Sequence, residues 1–414
     1  MFKICLFDLD DTLVRTGDLK GVREACKNNA DSKNLKAVKL GLAADPDRHV
    51  YSPELLRRIR KAHPKLKLGV FTRSPRSYVE TVLEWAYPGF VWDIVVAYED
   101  VDRTKPYGDG IDQAMAELGV SYLNKVLLVG DADVDIRAAY NCGCVAVLDK
   151  SAWPKMKRWE HWRALELVAD AIIDAPDELL AVLAEPDTFL PELERLLEGE
   201  EDRAGGVRFD KLGHFVPRDL GGDNTSYPVY VCGRSFTNYE SLKYRRKWHD
   251  LTPSIEDHKE ADEFSEHWID AIRAFISAEC RTIFGPSNVI VTAVPHRPGR
   301  KARLEVLLGQ LQQSLVEKPI KKCNVTVAPA LLGFKDGVKS QHNNYLNHHQ
   351  RFENVRDHLE VRSPGLLKGG RDVLVLDDVV TTGASLIYAT IYLKQAGAAG
   401  VTCLAIAKSI GDVL

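Results

Sequence analysis

Twice in this chain a short, β-branched apolar run stops at adjoining carboxylates. Residues 2–7 (FKICLF) lead into Asp8-Leu9-Asp10-Asp11-Thr12, and residues 373–376 (VLVL) lead into Asp377-Asp378 and a Thr/Gly turn. Runs of this length and composition read as strands buried on both faces. Carboxylates beside such a strand are costly unless a cation or a reaction needs them. The carboxyl ends of strands in an open α/β sheet are where ligands bind. Further strand candidates are 67–71, 126–129, 144–148, 288–293 and 401–406, with helical patterns between them at 53–62 and 384–396. Ser52 is a fitting N-cap for the first of these helices, with Pro53 at its first position. Strand alternating with helix predicts an α/β protein with two doubly wound, parallel-sheet, Rossmann-like domains.

The middle of the chain breaks this rhythm. ELERLLEGEEDRAGG and RDLGGDNTS read as a helix end followed by a linker. The expected organisation is therefore one domain over 1–185, a linker over 186–226 and a second domain over 227–414. Fifty-five Lys+Arg against 59 Asp+Glu give a net charge of −4, which argues against a nucleic-acid or membrane coat. No apolar run reaches the ~18 residues of a membrane span, and the apolar start stops too early for a signal peptide. The eight cysteines form no CxxC pair and read as reduced thiols, which predicts a cytoplasmic protein.

In the first half, Asp8 and Asp10 stand at i, i+2 past a strand and would face one crevice. One can attack phosphorus while the other handles the leaving-group proton. Thr72 follows a strand and can donate to a phosphate oxygen, and Lys105 can neutralise phosphoryl charge. Asp131 follows the strand VLLV as a hard oxygen ligand suited to Mg²⁺. Asp135 lies four residues on and can hold Lys105. Asp11 alone reads as a turn residue. The ordered set Asp-x-Asp-x-Thr, Thr, Lys, Gly-Asp-x-x-x-Asp resembles the haloacid dehalogenase superfamily over about residues 1–185. The resemblance implies Asp8 as nucleophile and Asp10 as general acid/base. It implies Thr72 and Lys105 as phosphate ligands, and Mg²⁺ held by Asp8, Asp131 and the Asp10 carbonyl. Thirty-three residues separate Thr72 from Lys105, too few for a large cap. The 15–50 insert has room for two short helices, which predicts a minimal cap and an open site.

In the second half, VLVLDDVVTTGAS at 373–385 places a small-residue loop at a helix N-terminus, a cradle for phosphate. Its aspartates suit ribose hydroxyls or Mg²⁺. This run resembles the phosphoribosyl-pyrophosphate (PRPP) signature of type I phosphoribosyltransferases. The segments around 242–245, 291–303 and 341–355 resemble the competence-protein F-like subgroup. The resemblance implies a 5-phosphate cradle of Thr381, Thr382, Gly383 and Ser385, with Asp377 and Asp378 on the ribose. Arg297, Arg300, Lys301 and Arg303 are the candidates for pyrophosphate. The subgroup's Cys-rich zinc module is absent, with Cys232 alone in that region.

The two halves together predict a bifunctional enzyme. One site would transfer phosphoribose from PRPP to a nitrogenous, base-like acceptor. The other would hydrolyse the resulting nucleotide-like phosphomonoester with Mg²⁺. The rival expectation is a phosphatase acting on nucleic-acid or protein phosphate ends, with a PRPP-sensing second domain. The histidines 342, 348, 349 and 358 match no zinc spacing and read as a polar loop. Trp153, Trp159 and Trp162 lie within ten residues, and Trp159 and Trp162 fall on one helix face and read as packing against a neighbour.

Overall fold

The structure, a computed structural model, describes residues 1–28, 32–199, 206–213, 215, 225–258, 261–280, 286–339 and 347–414. Gln341 and Leu346, part of the second resemblance, and His342 of the histidine group lie outside the described residues. The chain forms two compact units. The first comprises residues 1–189, 236–249 and 411–414, and the second comprises 190–235 and 250–410.

The first unit is built on six parallel strands: β1 (Ile4–Phe7), β2 (Lys67–Phe71), β3 (Ile94–Val96), β4 (Val126–Gly130), β5 (Val145–Asp149) and β6 (Ala171–Ile173). Their order is β3-β2-β1-β4-β5-β6, the doubly wound order, and every pairing is parallel. The order reverses between β1 and β4, so the ends of these two strands open a crevice. The helices around the sheet are α1 (Lys20–Asn28), α2 (Ser32–Ala43), α3 (Pro53–Ala62), α4 (Arg76–Ala86), α5 (Asp109–Glu117), α6 (Asp133–Cys142), α7 (Trp159–Glu166) and α8 (Leu179–Ala184). Ser52 caps α3 by accepting from the Leu55 N–H at 3.1 Å. The 15–50 insert holds α1 and α2, as its length predicts. β1 is buried throughout because helices cover both faces of the sheet.

The second unit contains α9 (Glu192–Leu197), β7 (Asp210–Leu212), β8 (Val229–Val231) and β9 (Arg234–Phe236). After α10 (Lys243–Arg246), which packs in the first unit, follow α11 (Leu251–Asp257), α12 (Glu266–Glu279), β10 (Ser287–Ala293), α13 (Arg303–Glu317), β11 (Cys323–Val327), β12 (Leu332–Phe334), α14 (His348–His358), β13 (Leu359–Val361), β14 (Asp372–Val380), α15 (Ala384–Gln395) and β15 (Val401–Ile410). The main sheet runs β11-β10-β14-β15-β8-β7, with β9 also on β15. The expectation of a wholly parallel second sheet needs correcting. Four pairings are parallel, but β7 joins β8 antiparallel, so the sheet is mixed. β12 and β13 form a separate antiparallel pair.

Two local expectations change. The acidic stretch expected as a linker holds α9, whose Glu192, Glu194 and Arg195 are buried. Its charges are paired: Arg195 bonds Glu192 at 2.7 Å, and Arg234 pairs with Glu194. The basic stretch at 242–245 does not serve the second unit. Arg245 is buried in the first, where it pairs with Asp170, donates to the Cys144 carbonyl at 3.2 Å and stacks on Trp248. No described helix is long and apolar enough to cross a membrane, and all eight cysteines are free thiols.

Candidate active site

At the end of β1 the Asp8 N–H donates to the Val129 carbonyl of β4 at 2.8 Å, which holds the backbone on the crevice. Lys105 is buried between two carboxylates. Its Nζ donates to Asp8 Oδ1 and to Asp135 Oδ1, each at 2.6 Å. Burial works against the Lys105 charge, but Asp135 and Asp8 outweigh it and raise the pKa. The sequence expectation that Asp135 holds Lys105 corresponds to a direct ion pair. Asp135 also caps α6, accepting from the Ala132 N–H at 3.1 Å. Gly130 makes this approach feasible, since a Cβ there would lie 2.2 Å from the Asp135 Cγ.

Asp131 Oδ1 accepts from the Thr12 hydroxyl at 3.0 Å, and its carbonyl accepts from Trp153 Nε1 at 3.0 Å. Asp8, Asp131 and Asp135 each offer an oxygen, and these atoms lie within 4.8 Å of one another. The electrostatics show what such crowding costs. Burial pushes Asp8 up to about 7, with Lys105 opposing and Asp135 and Asp10 reinforcing. Burial also drives Asp131 well above the carboxylate range, reinforced by Asp135, Asp8 and Asp11. A divalent cation among hard oxygen donors would relieve this repulsion, so the residues fit Mg²⁺. The side chains brought together are Asp8, Asp131 and Asp135, so Asp135 joins the expected pair.

Asp10 is held by four groups that the sequence did not single out. The Thr16 hydroxyl and Tyr78 hydroxyl donate to its Oδ1 at 2.6 and 2.9 Å. The Ser74 hydroxyl donates to Oδ2, and Arg23 of α1 forms an ion pair with that oxygen at 2.9 Å. Asp11 is the expected turn residue. Its φ is 58°, and its carboxylate accepts from the Thr16 and Gly17 N–H groups at 3.0 and 3.1 Å. Thr72 is buried, with its N–H on the Val96 carbonyl. A cavity of about 500 Å³ joins Thr72, Lys105 and the four aspartates 8, 10, 131 and 135. Of the tryptophans, Trp153 packs on His161, whereas Trp159 is exposed.

In the second unit, Asp377 and Asp378 lie inside β14, which continues to Val380 instead of stopping at the acids. Burial pushes Asp377 up to about 7, opposed by Arg303 and Arg297. Arg303, the first residue of α13, pairs with Asp378. Arg297 sits over the Phe334 ring. Lys301 instead pairs with Asp262 at 2.5 Å, and Arg300 is exposed. Gly383 caps α15 with φ 73°, where a Cβ would lie 2.8 Å from Phe215. Thr381 is exposed, and Thr382 and Ser385 are half-buried around that turn. The structure thus brings Arg297 and Arg303 to the aspartates.

The haloacid dehalogenase-like hydrolase family matches residues 50–148. Among curated proteins, the phosphoglycolate phosphatases of Escherichia coli K12 and Shigella flexneri are each 32% identical over 82 residues, 20% of this chain. The chain spans about a third of the length of these relatives, 32% of each. Among solved structures, CbbY from Rhodobacter sphaeroides in complex with phosphate is similar at 19% identity and a TM-score of 0.32, covering 44% of this chain and 100% of that one. A HAD-superfamily hydrolase of subfamily IA from Geobacter sulfurreducens PCA shows 14% identity and a TM-score of 0.30, covering 44% and 96%. With the family match and the ordered motifs meeting in one cavity, residues ~1–190 form a haloacid dehalogenase-like hydrolase domain.

Proposed function

We propose that the first unit is a Mg²⁺-dependent phosphomonoester hydrolase acting through Asp8. The observation that carries this reading is Lys105 bridging Asp8 and Asp135 at 2.6 Å beside Asp131, in a cavity of small-molecule size. Asp8 Oδ would attack phosphorus, breaking the P–O bond to the leaving group and forming an aspartyl-phosphate. Asp10 would deliver the proton to the departing oxygen, then take one from the water that cleaves the acyl phosphate. The contacts from Thr16, Ser74, Tyr78 and Arg23 fix its carboxylate and support this reading. Thr72 and Lys105 would hold the phosphoryl oxygens. Asp8, Asp131 and Asp135, with the Asp10 carbonyl, would hold Mg²⁺, which supplies neutralisation of phosphoryl charge when bound. Uncatalysed monoester hydrolysis is among the slowest reactions, up to ~10²¹-fold below the enzymatic rate, which is why nucleophile and cation are needed together.

The finer reading concerns the second unit: PRPP-dependent transfer to a base-like acceptor, whose nucleotide product the first unit dephosphorylates. Supporting it are the acids within β14, the left-handed Gly383 opening α15, and Arg303 on Asp378. Asp377 and Asp378 would accept from ribose hydroxyls. Thr381, Thr382, Gly383 and Ser385 would cradle the 5-phosphate. Arg297 and Arg303 would meet pyrophosphate, with Arg300 and Lys301 in reach of the same loop. Incubation with PRPP, Mg²⁺ and a panel of bases tests it: release of pyrophosphate with one base is expected. A PRPP-dependent change in phosphatase rate without pyrophosphate would favour the sensing alternative. The cavity beneath α1 favours small phosphomonoesters over macromolecular ends. The first unit is tested by p-nitrophenyl phosphate turnover with Mg²⁺, which Asp8→Asn should abolish.

A further inference from the structure

The loop that follows β10 reads Pro295-His296-Arg297-Pro298-Gly299-Arg300. Pro298-Gly299 turns it back: Gly299 takes φ 74°, and the Arg300 N–H donates to the Arg297 carbonyl at 3.0 Å, as in a type II turn. The chain returns into α13, where His296 meets Glu305. The His296 ring Nδ1 lies 2.7 Å from Glu305 Oε1, and the His296 backbone N–H donates to the same oxygen at 3.3 Å. An ionised carboxylate only accepts, so the ring proton sits on Nδ1 and Nε2 keeps its lone pair. Among the described residues no group bonds Nε2. The His296 side chain is 46% exposed, and an ion pair so placed contributes little to stability. Glu305 Oε2 is nonetheless buried with no donor on it. A desolvated carboxylate oxygen without a partner is costly, and a positive charge forming on the imidazole would offset that cost.

Both members of the pair are tied to the acids of β14. The Val294 N–H donates to the Leu376 carbonyl at 2.8 Å, and His296 lies two residues on, at most about 7 Å along the chain. Glu305 follows Arg303, the partner of Asp378, by two residues, an advance of about 3 Å along the helix axis. Arg297, next to His296, lies close enough to Asp377 to act on its charge. Transfer to a nitrogen that bears hydrogen releases a proton here, and the neighbouring groups are unsuited to take it. Arginines stay protonated, the aspartates are assigned to ribose hydroxyls, and residues 379–385 supply apolar groups, hydroxyls and a glycine. We propose that His296, oriented by Glu305, is the general base of the second unit. As the acceptor nitrogen bonds to C1 of the phosphoribosyl group, the C1–O bond to pyrophosphate breaks, and its electron pair leaves with pyrophosphate. The N–H proton of the acceptor passes to His296 Nε2, Glu305 stabilises the imidazolium, and solvent then takes the proton from the exposed ring. This rests on the transferase reading above and adds an acceptor class to it: a nitrogen with a proton to lose.

The full chain is incubated with PRPP, Mg²⁺ and one acceptor at a time. Adenine, hypoxanthine, uracil and orotate each lose an N–H proton, whereas the pyridine nitrogen of nicotinate has none. Pyrophosphate release is expected with an N–H acceptor. His296→Ala should then lower kcat by about 10²- to 10⁴-fold, the usual worth of a general base, while binding PRPP in calorimetry as wild type does. Added imidazole should restore part of the lost rate, which a merely structural role would not allow. Glu305→Gln keeps an acceptor for Nδ1 and removes the charge, so it should lose less than His296→Ala. A kcat near wild type in His296→Ala would overturn the inference. So would a loss that imidazole leaves unmoved, a loss matched by weakened PRPP binding, or pyrophosphate released with nicotinate alone. Each of these leaves the transferase reading standing. A wild type that releases no pyrophosphate with any of these acceptors would instead remove that reading, and the inference with it.

Discussion

At the residue scale the site divides by how far its parts lie apart in sequence. Asp8, Asp10, Asp131, Asp135 and Lys105 could be read because each sits at a strand end or in a motif of fixed order. Arg23, Ser74 and Tyr78 could not, because their only signal is meeting Asp10 in space, Ser74 from 64 and Tyr78 from 68 positions away. The donation of Trp153 Nε1 to the Asp131 carbonyl likewise leaves no local trace in the sequence. Asp10→Asn should lower kcat by about 10²- to 10⁴-fold, the usual worth of a general acid, in a p-nitrophenyl phosphate assay. A smaller loss would be expected for Tyr78→Phe, which keeps the carboxylate and removes one of its donors. Asp377 yields a pH expectation. Its folded pKa of about 7 lies above the unfolded aspartate value, so the folded chain holds a proton that the unfolded chain has released. The stability that this contributes is therefore full below about pH 4 and is lost as pH rises through about 7. The urea midpoint of wild type should fall more steeply than that of Asp377→Asn between about pH 5 and pH 8. Parallel slopes would mean that Asp377 is already ionised at the acid end.

At the element scale, long buried strands and a well-capped helix were legible. β1, β2, β4 and β5 fall on the expected runs, and α3 begins at its Ser52 cap. β3 and β6 have three residues each, too few for periodicity to register. β7 and β8 are as short, and their antiparallel pairing depends on partners set by the whole sheet. β14 continues past Asp377 because its pairing with β15 extends through Val380 and Lys408. The crossing from β4 into α6 is the tightest junction of the site. Gly130→Ala would drive a methyl into Asp135, so either the α6 start or the Lys105 ion pair must move. The expected result is a loss of about 1–3 kcal/mol in urea unfolding together with lost phosphatase activity. Full activity in Gly130→Ala would show that Asp135 has room to shift without disturbing Lys105.

At the scale of the whole molecule, sequence order and spatial unit part company. Residues 236–249 and 411–414 belong to the first unit although they follow or close the second half of the chain. Composition placed a boundary near the Gly-rich stretch, and no local pattern marks the return. What marks it physically is Arg245, a charge buried against Asp170 and Trp248. Removing one partner of a buried pair leaves an uncompensated charge. Arg245→Ala should therefore destabilise the first unit by about 3–5 kcal/mol in urea unfolding. A fragment ending near residue 226 should be less stable than the same unit in the full chain, because it lacks this segment. Equal urea midpoints for fragment and full chain would contradict that.

The central claim is a covalent one: Asp8 carries the phosphoryl group. Its direct test is acid quenching of the full chain during turnover of a phosphomonoester with Mg²⁺, followed by peptide mass spectrometry. A phosphoryl group on the peptide containing Asp8, absent from Asp8→Asn, is the predicted result. Continued turnover by Asp8→Asn, with no phosphorylated Asp8 peptide in wild type, would contradict it.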